Sequence, residues 1–172
     1  MGKPTTILIL RHAEKPQDSN DESLSTKGYE RAAALAYYMP NAFGHIDHIF
    51  AAGIGKHSHS HRPVETITPL ADILGKKIHQ KYLKDKDKDM VEHILSKPEK
   101  YTNSKIVVCW EHKKIADIAK AFGATNLPST PWPESCFDLV WKLTLQNDGS
   151  YHLDQIAQLL LYGDSENYVG NN

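Results

Sequence analysis

The feature that most constrains this chain is a pair of short segments that are apolar at almost every position. Thr5-Thr-Ile-Leu-Ile-Leu10 and Ile106-Val-Val-Cys-Trp110 show no alternation of polar and apolar residues. A strand with one wet face alternates, whereas a strand buried on both faces does not. Both segments therefore have to lie inside a sheet covered on its two sides. Between and after them run segments of helical period. Ala32, Leu35, Ala36 and Met39 form one stripe, with Ser25 or Thr26 as its cap and Pro40 and Asn41 as its end. A second stripe, Val64, Ile67, Ala71 and Leu74, starts at Arg62-Pro63 and stops at Gly75, with a kink or a split expected at Pro69. A third, Ile115, Ile118, Ala119 and Phe122, closes at Gly123. Short strands are expected at 48–51 and, on an edge, at 77–83. The run of alternating Lys and Asp over 84–89 reads as a solvated approach to a short helix carrying Val91, Ile94 and Leu95. Apolar runs 137–145 and 152–162 flank Asp148-Gly149, a hairpin signal.

Strands alternating with helices define an α/β class with a mostly parallel sheet and an antiparallel edge. No repeat or linker is visible, so residues 1–172 are expected to form one domain, with a loose polar tail from Gly163. A chain of this length hides about 70% of its unfolded surface and needs no disulfide or metal staple. Cys109, in an apolar run, reads as a small buried hydrophobe, and the pair Cys109 and Cys136 does not make a framework. A net charge of −1 lacks the basic surface of a bulk nucleic-acid binder. No apolar stretch approaches the length of a membrane span, and no apolar signal region precedes the first strand. A cytoplasmic protein with no membrane partner is the resulting expectation.

Ligands of such sheets bind beyond the carboxyl ends of the strands. The first strand ends at Arg11-His12, the second leads into the loop before Arg62, and the apolar strand starting at Lys105 ends at Glu111-His112. Two histidines and two arginines thus converge on one rim. A neutral imidazole is a nucleophile toward phosphorus. Two guanidinium groups clamp a phosphoryl group and take up charge on its equatorial oxygens. A second, protonated imidazole can donate to the same oxygens, and a carboxylic acid can protonate the leaving alkoxide. The chemistry these groups suit is phosphoryl transfer through a phosphohistidine, without cofactor or metal. Because the attacking imidazole must be neutral, activity is expected to fall at low pH.

The residues at these positions carry a resemblance. Leu10-Arg-His-Ala-Glu14 resembles the Arg-His-Gly/Ala signature of the histidine phosphatase superfamily, which includes the phosphoglycerate mutase-like enzymes. Leu24-Ser-Thr-Lys-Gly28 with Glu30-Arg-Ala32 resembles the family's first helix start. Arg62-Pro-Val-Glu-Thr66 resembles its Arg-x-x-x-Thr helix, and Val107-Val-Cys-Trp-Glu-His112 the strand ending in its second catalytic histidine. Four blocks in the family's order span residues 5–123. The resemblance implies a three-layer α/β/α sandwich with a phosphoglycerate mutase-like sheet. It implies His12 as the phosphorylated nucleophile, Arg11 and Arg62 as phosphoryl ligands, and His112 completing the pocket. The substrate would be a small phosphorylated compound or a phosphoprotein.

The departures are informative. Glu111 stands where relatives carry a small residue before the second histidine, and is the first candidate for the general acid. Glu14 and the acidic residues of 85–92 come after it. The chain is too short for the mutase insertion, so a phosphatase is expected. Lacking a clear acid, the alternative is a weak or silent phosphate-binding module on the same fold. The loop Gly53-Ile-Gly-Lys-His-Ser-His-Ser-His-Arg62 is long and His-rich. Lys15, Ser58 and Ser60 are candidate phosphate donors.

His57, His59 and His61 alternate, which on an extended segment presents three imidazoles to Zn²⁺, Ni²⁺ or Cu²⁺. No local Cys or carboxylate completes that set, so the loop is expected to act as a weakly cationic rim without metal. Gly53-Ile-Gly55-Lys56 is not a P-loop, since Phe50 occupies the first glycine's place and His57 that of the Ser/Thr. The remaining histidines, at 45, 48, 79, 93 and 152, show no ligand spacing.

Overall fold

A computed structural model describes residues 2–170. Its strands are β1 (Thr6–Arg11), β2 (His48–Ala51), β3 (Ile78–His79), β4 (Lys105–Trp110), β5 (Leu139–Leu145) and β6 (Tyr151–Ala157). They form one sheet in the order β3-β2-β4-β1-β5-β6. β3, β2, β4 and β1 are mutually parallel, while β5 runs antiparallel to both β1 and β6. The helices are α1 (Thr26–Phe43), α2 (Arg62–Leu74), α3 (Asp87–Leu95), α4 (Pro98–Tyr101) and α5 (His112–Phe122), with a 3₁₀ turn at Lys84–Lys86.

Period-two alternation sends the strands' side chains into two cores. Ile7, Ile9, Phe50, Ile106, Val108 and Trp110 face α3 and α5, meeting Met90, Ile94, Ile115, Ile118 and Phe122. Leu8, Leu10, Ile49, Val107 and Cys109 face α1 and α2, meeting Leu35, Met39, Ile67 and Leu70. The expected three-layer α/β/α sandwich is therefore present, with no residue of β1 left exposed. No described helix is long and apolar enough to cross a membrane. Both cysteines are free, and Cys109 is fully buried.

Four local expectations are corrected. Pro40 does not end α1. The helix continues to Phe43, whose ring is buried, and Gly44 caps it by donating its N–H to the Pro40 carbonyl at 2.9 Å. Pro69 likewise does not split α2, which runs from Arg62 to Leu74 with Ile67 and Leu70 anchoring the flanking turns in the core. Core burial of the flanking residues outweighs the proline penalty in both cases. β6 stops at Ala157, not at Tyr162. The Gln158 side chain donates to the Leu139 carbonyl at 3.0 Å, and Leu159 turns the chain with a φ of 53°. The tail is packed, not loose, as far as Gly170. The Asp164 side chain and Val169 are buried, and Val169 exchanges hydrogen bonds with the Gln155 side chain at 2.7 and 2.8 Å. Residues 171 and 172 lie outside the described residues.

Candidate active site

Register brings the rim together. Arg11, the last residue of β1, pairs with Trp110, the last of β4, and Ala51 at the end of β2 pairs with Cys109. His12 follows β1 directly, donating its N–H to the Trp110 carbonyl at 3.1 Å. Glu111 is the N-cap of α5 and His112 its first residue, while Arg62 is the first residue of α2. Two helix N-termini therefore open at the same edge, which favours an anion.

His12 is 5% exposed. Its Nδ1 lies 2.7 Å from the Ala13 carbonyl, which only accepts, so Nδ1 carries the proton and Nε2 keeps its lone pair. Burial, followed by the charges of Arg11, Arg62 and Lys15, lowers its pKa to about 3, while the Ala13 hydrogen bond opposes the fall. The ring is thus neutral at physiological pH. His112 is lowered to about 4, first by burial and then by Arg11. A protonated second imidazole, expected from the sequence, is not its state in the protein alone.

Arg11 is 1% exposed, yet among the described residues no carboxylate neutralises it by direct contact. Its Nη1 donates to the main-chain carbonyls of Glu134 and, at 3.3 Å, Cys136, and its guanidinium carbon sits 3.8 Å from the Phe137 ring centroid. Burial lowers its pKa to about 10, which leaves it charged at neutral pH. Nε and Nη2 of Arg11, and Nε of Arg62, are buried with no hydrogen-bond partner among the described residues. Arg62 Nη1 donates to the Asp21 carbonyl at 2.9 Å.

A cavity of about 210 Å³ opens in front of His12. Arg62, Glu111, Ser58, Ser60, His57 and His59 line it, together with Glu22 and Lys84. A second hollow of about 220 Å³ shares Arg62 and contains Lys15, Asp18 and Asp21. Lys15 is therefore one hollow away from the His12 cavity, and it pairs with the exposed Glu134 at 3.1 Å. Ser58 does not offer its proton to the cavity, since its buried hydroxyl donates to the Gly53 carbonyl at 3.1 Å and holds a tight turn. Ser60 accepts from the Arg62 N–H at 3.3 Å, which leaves its own proton available.

Among the acid candidates, Glu14 is held bidentately by Arg31 at 2.9 Å and is removed from the reaction. Asp87 is buried beside Lys114. Glu111 lies in the cavity, and so does Glu22, which sequence reasoning missed. Glu22 sits in a polar loop with no periodicity to single it out. Its carbonyl accepts the His61 N–H at 3.0 Å, a contact between distant segments that no motif encodes. Lys84, also missed, is concealed within the alternating charge run. Its carbonyl takes the Trp110 indole N–H at 2.8 Å, which fixes the 3₁₀ turn against β4.

The three alternating histidines are not on one extended face. A Gly55–Ser58 turn folds the segment, and the described residues contain no group of three or more His, Cys, Asp or Glu side chains that could hold a metal ion. The Gly-x-Gly here serves packing. A Cβ on Gly53 would stand 1.9 Å from the Gln80 carbonyl oxygen, so glycine is what lets segment 80–83 pack against this loop, where the Gly53 N–H donates to the Tyr82 carbonyl at 2.9 Å.

Comparison with known proteins places this architecture. No family model matches the sequence, and no curated protein matches it either. Solved structures do match the fold. The protein histidine phosphatase SixA complexed with tungstate superposes with a TM-score of 0.64 at 16% identity, covering 89% of this chain and 97% of that one. A phosphoglycerate mutase from Plasmodium falciparum gives 0.60 at 15% identity, covering 95% and 97%. A mycobacterial glucosyl-3-phosphoglycerate phosphatase with inorganic phosphate gives 0.59 at 14%, covering 89% and 96%. The chain has the fold of the phosphoglycerate mutase-like histidine phosphatases.

Proposed function

We propose that this protein is a metal-independent phosphatase that hydrolyses a phosphomonoester through a phosphohistidine on His12. The observation that carries the reading is the state of His12. It is buried and neutral, with its Nδ1 proton fixed on the Ala13 carbonyl and Nε2 left to attack, near guanidinium nitrogens that have no hydrogen-bond partner among the described residues. Nε2 forms a bond to phosphorus as the bond to the leaving oxygen breaks. Arg11, Arg62 and His112 take the charge on the equatorial oxygens. A bound phosphoryl dianion opposes the positive charges that depress His112 and so raises its pKa toward the donating form. Glu111, in its acid form, gives its proton to the leaving alkoxide. Water then attacks the phosphohistidine and returns a proton to Glu111, leaving inorganic phosphate and neutral His12. Ser60 supplies a further donor at the entrance, and Lys15 adds positive charge from the adjoining hollow. The cavity's size suits a small phosphomonoester or a single phosphorylated side chain.

The test is a rapid-quench experiment under alkaline conditions with radiolabelled substrate, alongside steady-state turnover of an aryl phosphate. The protein should acquire acid-labile label, His12→Ala should acquire none, and a chelator should leave turnover unchanged. Wild-type turnover by His12→Ala refutes the mechanism. Phosphate binding with no turnover of any substrate would favour a silent binding module.

A further inference from the structure

We infer that Thr66 is a positioning residue that sets the tautomer of His12 and the placement of Arg62 through one hydroxyl group. Thr66 is fully buried on α2. Its Oγ1 accepts the Ala13 N–H at 2.8 Å and donates its own proton to the Arg62 carbonyl at 2.7 Å. One hydroxyl therefore joins the segment after β1 to the first turn of α2.

Ala13 is the residue that matters chemically. Its carbonyl takes the His12 Nδ1 proton. The peptide unit bearing that carbonyl is bracketed on both sides. Thr66 holds the preceding N–H, and the following carbonyl, that of Glu14, accepts the Ser25 N–H at 2.9 Å. Peptide units are planar, so fixing both neighbours fixes the direction of the Ala13 carbonyl. That direction decides which imidazole nitrogen keeps the proton. Without the hydroxyl, the Ala13 N–H is a buried donor with no acceptor and the segment must move to satisfy it. Displacements of about an ångström at a reacting group cost on the order of 100-fold in rate.

This inference rests on the reading of His12 as the nucleophile, and the test separates the two. Thr66→Val keeps the shape and deletes the hydroxyl, whereas Thr66→Ser keeps it. With an aryl phosphate, Thr66→Val should lose about 10- to 100-fold in kcat with a smaller change in KM. Thr66→Ser should return to within about threefold of the wild type. ¹⁵N NMR of the imidazoles should show a single Nδ1-protonated His12 in the wild type and in Thr66→Ser, and a tautomer mixture in Thr66→Val. This readout needs no turnover, so it stands even if His12→Ala proves active and the phosphohistidine reading fails. A wild-type imidazole spectrum in Thr66→Val, or a failure of Thr66→Ser to restore kcat, overturns the assignment. If Thr66→Val does not fold, amide exchange decides. The Ala13 N–H of the wild type should be as protected as the amides of β1, and fast exchange there overturns the assignment.

Discussion

Replacing Arg31 tests what holds the segment after β1 and the tail together. Arg31 on α1 is 2% exposed at its side chain and Asp164 3%, so their contacts are shielded from water. Nε and Nη2 reach Glu14 at 2.9 Å, Nη2 and Nη1 reach Asp164 at 2.7 and 2.9 Å, and Nη1 also reaches the Gln158 side chain at 2.9 Å. Burial pulls the Arg31 pKa down, but the two carboxylates outweigh it and the net shift is upward. Asp164 moves the other way, to about 2, because Arg31 and the Leu160 and Leu161 N–H groups outweigh its burial. Arg31→Leu leaves two largely buried carboxylates without their cation. Breaking a buried pair in this way costs about 3–5 kcal/mol. For a domain of this size each kcal/mol lowers Tm by roughly 2–4 °C, so a fall of about 6–20 °C is expected by thermal circular dichroism. The triple variant Arg31→Leu, Glu14→Gln, Asp164→Asn removes the stranded charges and should recover most of that loss. A single variant within about 1 kcal/mol of wild type, or a triple variant no better than the single, refutes the account.

Two further predictions follow from close contacts and from titration. A Cβ at Gly28 would stand 2.5 Å from the Glu14 carbonyl oxygen and 3.0 Å from the Leu24 Cβ, so Gly28→Ala should destabilise by about 1–3 kcal/mol despite alanine's better helix propensity. Because Glu14 follows His12 by two residues, kcat should fall too, and a variant of wild-type Tm and kcat would contradict the contact. His48, His79 and His93 pack around Phe50 and Tyr101, with ring centroids 4.6 Å apart for Phe50–His79 and 4.8 Å for His48–Tyr101. Burial first, and Lys76, Lys81, Lys97 and Lys100 next, lower all three pKa values, opposed only by Asp47 and a backbone contact at His48. The unfolded chain therefore takes up protons before the folded one, so stability is complete above the ordinary histidine pKa of 6.5 and declines as pH falls below it. Urea midpoints measured from pH 8 to 5 should decrease below about 6.5, with a shallower slope in His93→Gln; a flat profile refutes it.

Much of the fold is legible in the sequence because burial on both faces leaves a direct mark. β1 and β4 are uninterrupted apolar runs, and the rule that ligands gather at strand carboxyl ends places Arg11, His12 and His112 with no motif. Helix ends are less legible. Pro40 and Pro69 are local stop signals, and only the burial of Phe43 and Leu70 in the finished core overrides them. The tail is least legible. Gly163 to Gly170 looks like solvent-facing chain because what orders it is a long-range ion pair to Arg31 and an exchange with Gln155, contacts that leave no periodicity. In the site, strand-end residues were readable, while Glu22 and Lys84 were not. Loops bring those two to the cavity, and a loop's path depends on contacts such as His61 to Glu22, made across dozens of residues.

The two buried arginines differ in what surrounds them, and the difference bears on the role proposed for Arg11. Arg11 and Arg31 are 1% and 2% exposed, and burial alone does not distinguish them. Their partners do. Arg31 has its nitrogens engaged by Glu14, Asp164 and Gln158, its charge is locally cancelled, and its pKa is raised. Arg11 is held by main-chain carbonyls and the face of Phe137, which fix its plane without cancelling its charge, and its pKa is lowered. Burying a cation among neutral dipoles leaves its desolvation uncompensated, a penalty that a bound dianion would relieve. Burial is the first cause that keeps His12 neutral, and the uncancelled Arg11 charge adds to it by opposing protonation. Under the proposed phosphatase reading, one arrangement would do two things: reserve positive potential for a phosphoryl group and preserve the lone pair that attacks it. A carboxylate placed against Arg11 would weaken both, whereas a main-chain carbonyl weakens neither.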